Sequence, residues 1–285
     1  MKKLATAFGA PVDHRRTFIK ASSLSAGALA LGAVAADAAT VPAPASAPAP
    51  EGQAYANTLS FRLPKHIIPL PKSSPQKVAA GVPDSQLTRE TTGLLREYST
   101  PVLINHSHRV FFWANEFGRQ TGQPYDAELL FICAAFHDLG LLKTFRSADD
   151  RFEVDSANAV RQFLDHHGVP QTRIQTAWDA ISLHTTPGIA TYKPLEVELL
   201  YNGVGLDVLG IGYGGLDPML RDKVVAQFPR VDFHRQIAQA FYDGFGYKPQ
   251  TTEGTCNEDI CSHFIRNYKR SDFYEQTQNS PFPNS

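Results

Sequence analysis

The chain has 285 residues, 42% of them hydrophobic, with 27 basic against 28 acidic side chains and a formal net charge of −1. So even a balance supplies no electrostatic reason to expect nucleic acid as a partner, and no basic run occurs beyond the N-terminal segment. Three cysteines are a small number, and beyond that segment no apolar run is suited to spanning a membrane.

The N-terminus has the form of an export signal. His14-Arg15-Arg16-Thr17-Phe18-Ile19-Lys20 places twin arginines ahead of an uncharged stretch, Ala21 to Ala36, and Ala36-Asp37-Ala38 offers a small-residue cleavage site. Residues 1–38 are therefore expected to engage the twin-arginine export machinery and to send an already folded protein to the periplasm or beyond. The apolar part is too short and too mild to remain in a membrane. Val41-Pro42-Ala43-Pro44-Ala45-Ser46-Ala47-Pro48-Ala49-Pro50 then reads as an extended tether. Prolines recur as far as Pro83, so 39–85 is expected to be irregular, with helix starting near Gln86. Residues 86–285, about two hundred, suffice for one domain.

From Gln86 the apolar spacing is helical and almost nowhere alternating. Thr100-Pro101 resembles an N-cap followed by proline at the first helical position, with Val102, Val110, Trp113 and Phe117 recurring up to Gly118. A second helix is expected from Asp126 to Gly140 and a third from near Glu153 to Gly168. A fourth follows Thr172, and a fifth follows Pro194. A sixth runs through Val224 into Phe241-Tyr242. With no confident strand, the fold class is all-α, a helical bundle of about six or more helices.

Several polar residues fall on the apolar faces. His137-Asp138 ends the run Leu129-Leu130-Phe131-Ile132-Cys133-Ala134-Ala135-Phe136, where a neutral nitrogen and an anionic oxygen could together hold a divalent cation. His106 shares a face with Val110, Trp113 and Phe117, as a core histidine or as a ligand, while Asn105 and Arg109 flank it. Asp207 lies inward beside Leu200 and Gly203, where it is either an acceptor for backbone N–H groups or a ligand. Gly203 and Gly205 leave room for a close neighbour. Glu153 sits on the stripe of Ala157, Val160 and Leu164, though a first-turn acid also suits the helix dipole. His184 closes the stripe Ile174, Trp178, Ile181. Each has a structural explanation, but five inward polar groups on five consecutive helices are poorly explained that way. Cys133 reads as a buried small hydrophobe. A metal site at Cys256 and Cys261 would have only His263 nearby, so in an exported chain these two are expected to form a disulfide.

In order, His106, His137-Asp138 and Asp207 reproduce the H…HD…D pattern of the HD-domain superfamily of metal-dependent hydrolases. Asn105-His106-Ser107-His108-Arg109-Val110, His137-Asp138-Leu139-Gly140, Phe152-Glu153 and Leu206-Asp207-Val208-Leu209-Gly210 resemble its cyanamide hydratase branch, over roughly Gln86 to Tyr242. The resemblance implies His106, His137, Asp138 and Asp207 as ligands of one divalent transition metal. Zn²⁺ comes first, with Mn²⁺, Fe²⁺ or Ni²⁺ as alternatives, and His108 is left to the pocket or the surface. Glu153 stands where dinuclear members place a further histidine, which argues for one metal. Asp138 is then ligand and proton acceptor, with His184 or Glu153 as the neighbouring acid/base.

On that reading, metal-bound hydroxide attacks the nitrile carbon of a small substrate, and a protonated His184 or a water returns a proton to nitrogen. Phe111, Phe112, Trp113, Phe136 and Phe145 would supply apolar surroundings. A phosphohydrolase of nucleotides or other phosphate esters is the alternative, for which only Arg109, Lys143 and Arg146 are at hand. A non-catalytic exported binding module is the third reading. The oligomeric state is not legible in the sequence.

Overall fold

A computed structural model describes residues 70–281; the segment expected to be an export signal, the Val41–Pro50 tether and the rest of residues 1–69 lie outside them. Ten α-helices and no strand occur among the described residues: α1 (Gln86–Tyr98), α2 (Pro101–Thr121), α3 (Ala127–Phe136), α4 (Phe152–His166), α5 (Gln171–Leu183), α6 (Leu195–Leu209), α7 (Pro218–Gln227), α8 (Phe233–Phe245), α9 (Asn257–Phe264) and α10 (Phe273–Gln278). The fold is all-α, as the spacing predicts. None of these helices is long and apolar enough to cross a membrane.

The composition of α3 makes it the centre. Every residue from Leu129 to Phe136 is buried, and a helix that is apolar on all sides is stable only with neighbours all round it. α1, α2, α4, α5 and α6 surround it and share one core. The Asp126 side chain caps α3 by accepting from the Leu129 N–H at 2.9 Å. At the other end the chain leaves helical geometry at Asp138 (φ −108°, ψ 5°), so α3 stops at Phe136 and not at Gly140. His137 and Asp138 thus emerge from the innermost helix at the middle of the molecule.

α2 lies against α6, and their closest approach is at Gly203: a Cβ there would sit 2.7 Å from the Val110 carbonyl oxygen and 3.0 Å from Ala114 Cβ. The expected neighbour is therefore α2. No such crowding surrounds Gly205, where a Cβ would meet only Ile211 Cδ1 at 3.6 Å. Gly118 does not end α2, which continues to Thr121 and terminates at left-handed Gly122 (φ 66°).

The single sixth helix expected from the sequence is two helices. Residues 228–232 interrupt it, with Pro229 lacking an N–H donor and Asp232 at φ 46°. α7 covers a small cluster of Trp113, Leu206, Leu216 and Phe228, while α8 and α9 build another from Phe233, Ile237, Phe245 and Cys261.

Lys248 locks this last layer down. Its fully buried ammonium donates to the carbonyls of Ser147 (2.9 Å) and Asp150 (2.7 Å) and to Asp155 Oδ2 (2.8 Å). Lys248→Met keeps the stem but strands the Asp155 charge, so it is expected to cost about 3–5 kcal/mol in urea unfolding. A loss below about 1 kcal/mol would mean that water reaches Asp155 and that the pair does not hold the layer.

Cys256 and Cys261 are both free. Cys256 caps α9 and Cys261 lies within it, five residues on. Five helical steps of about 100° point the two thiols to different sides of the helix. Cys261 is packed in the core, where its sulfur accepts a hydrogen bond from the Thr252 hydroxyl at 3.6 Å. The expected disulfide is therefore not formed.

Candidate metal centre

His106 from α2, His137 and Asp138 from the end of α3, and His184 from the end of α5 meet in the interior, each at most 3% exposed. His106 Nε2 and His137 Nε2 lie 3.2 Å apart. Asp138 Oδ2 is 3.2 Å from the latter and 3.5 Å from the former. Neighbouring ligands of a tetrahedral ion, with bonds of about 2.0–2.2 Å, are separated by about 3.3–3.5 Å, so this spacing matches one face of such a shell. His184 Nε2 stands further off, 3.9 Å from Asp138 Oδ1.

The hydrogen bonds determine what the nitrogens offer. His137 Nδ1 is 2.8 Å from the Ala134 carbonyl and His184 Nδ1 is 2.6 Å from the Ile181 carbonyl. A carbonyl oxygen can only accept, so both Nδ1 atoms carry the proton and donate it. His106 Nδ1 donates to Asp207 Oδ2 at 2.7 Å. In the neutral rings all three Nε2 atoms therefore present lone pairs to the same space. Both oxygens of Asp138 are buried there with no hydrogen-bond partner. Facing lone pairs and an unpartnered carboxylate are costly unless a cation joins them. The donor set fits a divalent metal.

Electrostatics point the same way. Burial lowers the pKa of His106, Asp207 opposing it. His184 is pushed down to about 4, by burial first and by His137 second, so it is a neutral base near pH 7 and not the protonated donor expected from the sequence. His137 is raised above its ordinary value despite burial, because Asp138 adjoins it. Burial works against an ionised Asp138, but His137 outweighs it and holds the carboxyl well below the usual range.

Asp207 is not brought into this cluster. Arg109 grips it with two parallel bonds, Nε to Oδ1 and Nη2 to Oδ2, both 2.8 Å. Trp113 Nε1 donates to Oδ1 at 3.0 Å, and Arg230 Nη1 donates to the same oxygen at 2.9 Å. With His106 added, its lone pairs are taken. Asp207 orients His106 and fixes its tautomer, an outer partner where the resemblance implied a ligand.

Glu153 is likewise elsewhere. It accepts from Arg151 Nη2 (2.7 Å), the Thr185 hydroxyl (2.5 Å) and Asn257 Nδ2 (2.8 Å), which keep it ionised although burial opposes this. All three bonds fall on Oε1, while Oε2 takes only Arg151 Nε at 3.3 Å, and the carboxylate pins the turn after His184 to α9. His108 is neither pocket nor surface: it is buried, donates Nδ1–H to the Ile104 carbonyl and stacks on Phe228 at 4.5 Å.

Sequence reasoning missed the group behind His106. Arg109 is fully buried, not flanking, and also donates to the Phe228 and Pro229 carbonyls. Asn105 donates to the same Pro229 carbonyl at 3.2 Å. The spacing of His106, Arg109 and Trp113 at three and seven was the available signal, since it stacks all three on one helical face.

The cluster opens onto a cavity of about 330 Å³ walled by Tyr201, Val204, Val208, Leu209, Phe241 and Ile260. Phe111, Phe112, Trp113, Phe136 and Phe145 are not in its lining. No lysine or arginine is either: Arg109 is spent on Asp207, Lys143 is exposed, and Arg146 donates to the Asp243 carbonyl. Cys256 stands in the wall, exposed, whereas Cys133 and Cys261 are closed to solvent. Iodoacetamide is expected to label the native protein at Cys256 alone; peptide mapping that finds Cys261 modified without denaturant would contradict the packing of α9.

Residues 103–226 match the family model described as HD domain, a span that includes all the residues of the cluster and Asp207. No curated protein matches the chain.

Proposed function

From residues 103–226 being an HD domain, of a superfamily of metal-dependent hydrolases, we propose that this chain is a metal-dependent hydratase or hydrolase of a small uncharged nitrile-like or amide-like compound, of the cyanamide hydratase kind. The observation that carries this reading is a metal-fitting cluster facing an apolar cavity without a cationic side chain. A phosphate ester brings about two negative charges, and burying them there with no guanidinium or ammonium would cost several kcal/mol. A compact neutral substrate meets no such penalty.

His106 and His137 would hold one divalent ion through Nε2 and Asp138 through a carboxylate oxygen; this mixed N/O set suits Zn²⁺ first and also Mn²⁺, Fe²⁺ or Ni²⁺. Such an ion lowers the pKa of water and polarises an electrophile. The chain does the rest. Neutral His184, its Nδ1–H held by the Ile181 carbonyl, keeps Nε2 free to accept a proton and return it to the substrate nitrogen. Asp138 Oδ1, 3.9 Å away, steadies the imidazolium that forms. The apolar walls exclude bulk water, and Glu153 holds the His184 turn in place through Thr185.

The test is a substrate panel on metal-loaded protein: urea formed from cyanamide, ammonia released from small amides, and phosphate released from nucleotides and p-nitrophenyl phosphate. Turnover of a neutral compound with no phosphate release is expected. Phosphate release with no turnover of the neutral compounds overturns the reading in favour of the phosphohydrolase.

A further inference from the structure

On the other side of Val208 and Leu209 at the end of α6 lies a second and larger cavity, about 690 Å³, which the proposed reaction does not use. Its chemistry is opposite to that of the first. Arg221, Arg230 and His234 line it together with Trp113 and Tyr213. We propose that this cavity is a binding site for a small aromatic or apolar compound carrying one oxyanion group.

Charge accounting supports it. Asp207 borders the cavity, but Arg109 behind it already neutralises the carboxylate with two bonds. Arg230 is thus a second guanidinium on a single carboxylate, and its positive charge is in excess. Its Nη1 is used on Asp207, while Nε and Nη2 make no hydrogen bond to protein among the described residues. Arg221 pairs with Asp222 through Nε at 3.0 Å, yet that carboxylate is 72% exposed against 25% for the guanidinium. Both residues line the cavity, but a carboxylate so largely solvated holds its partner weakly, which leaves the remaining Arg221 N–H groups for an incoming anion.

Two partly buried guanidiniums with free N–H groups offer the fork geometry that phosphate and carboxylate match. The remainder of the wall suits an apolar body. Leu206, Leu216 and Val225 line it, and Tyr213 is braced by the Arg221 guanidinium 5.0 Å from its ring. A few convergent polar groups on an otherwise apolar concave wall are the usual make-up of a small-molecule site. Because the site uses none of the metal-holding side chains, it stands or falls independently of the proposed reaction.

Trp113 provides the readout, since the only other tryptophan is Trp178. In full-length Trp178→Phe protein, fluorescence is titrated with phenyl phosphate and with phenylacetate, beside phenol and sodium chloride at matched ionic strength. A saturable change is expected with at least one of the two anions and with neither control; the anion that binds more tightly identifies phosphate or carboxylate as the group read. Arg221→Gln should weaken that binding roughly tenfold or more, as loss of a charged hydrogen bond does, with metal content unchanged. No saturable change with either anion, phenol binding as tightly, or unaltered affinity in Arg221→Gln would each overturn the proposal.

Discussion

Asp138→Asn is expected to abolish metal retention and, with it, turnover. Even outer partners of metal ligands commonly contribute 10–100-fold to affinity, so loss of a direct anionic ligand should exceed roughly 100-fold. The same substitution should act in the opposite direction on the metal-free protein. Both Asp138 oxygens are buried without a donor, whereas an amide NH₂ at that position can donate to the Nε2 lone pairs of His106 or His137. With chelator present, and at a pH above the titration of His137 where its ring no longer donates to Asp138, the variant should therefore melt at or above the wild type; a functional group is being kept at the expense of stability. Elemental analysis and thermal melts, each with and without chelator, check both halves. A metal-replete Asp138→Asn protein would remove Asp138 from the ligand set.

Protons compete with the metal at this centre. His137 is raised above its ordinary value of 6.5 by Asp138, so below that range its Nε2 carries a proton that the metal must displace. Metal affinity should accordingly rise with pH, and a chromophoric chelator competed at about pH 6 and about pH 8 would show it.

Asp207 separates the geometry from the resemblance. As His106's outer partner it should tolerate Asp207→Asn with metal stoichiometry kept at saturating metal and affinity reduced 10–100-fold. If it is a direct ligand, the variant should lose metal as completely as Asp138→Asn, and the four-ligand set would be restored. Asp207→Ala should be worse in a different way. It strands the fully buried Arg109 guanidinium, a loss of about 3–5 kcal/mol of folding stability, visible in urea unfolding.

Much of the centre was legible because its signals are local. The unbroken apolar run from Leu129 to Phe136 marks an all-buried helix, and a histidine and an aspartate at its end have nowhere to go but the interior. His106 on the stripe of Val110 and Trp113 is inward for the same geometric reason. The long-range partnerships were less visible. Glu153 lies on an inward stripe, yet whether it moves protons or pins a turn depends on Asn257, 104 residues away. Arg109 resembles a flanking or phosphate-binding arginine until Asp207, 98 residues away, is placed against it. The Cys256–Cys261 pair misled because spacing says nothing of which side of a helix each thiol occupies until the helix exists.

By itself the sequence determined the helices from Pro101 to Leu209, their buried faces and the inward placing of His106, His137, Asp138, Glu153, His184 and Asp207, since caps, breakers and apolar period act within a few residues. Tertiary structure alone decided which of those groups converge. It placed His106, His137, Asp138 and His184 around one space with their lone pairs facing, saturated Asp207 outside that space, and tied Glu153 to Arg151, Thr185 and Asn257. It also left the neighbouring cavity without a cation while giving the one behind α6 an excess. The reason is that a side chain's protonation, tautomer and free lone pairs are set by whatever lies within about 3 Å of it, and for these residues those neighbours come from distant parts of the chain.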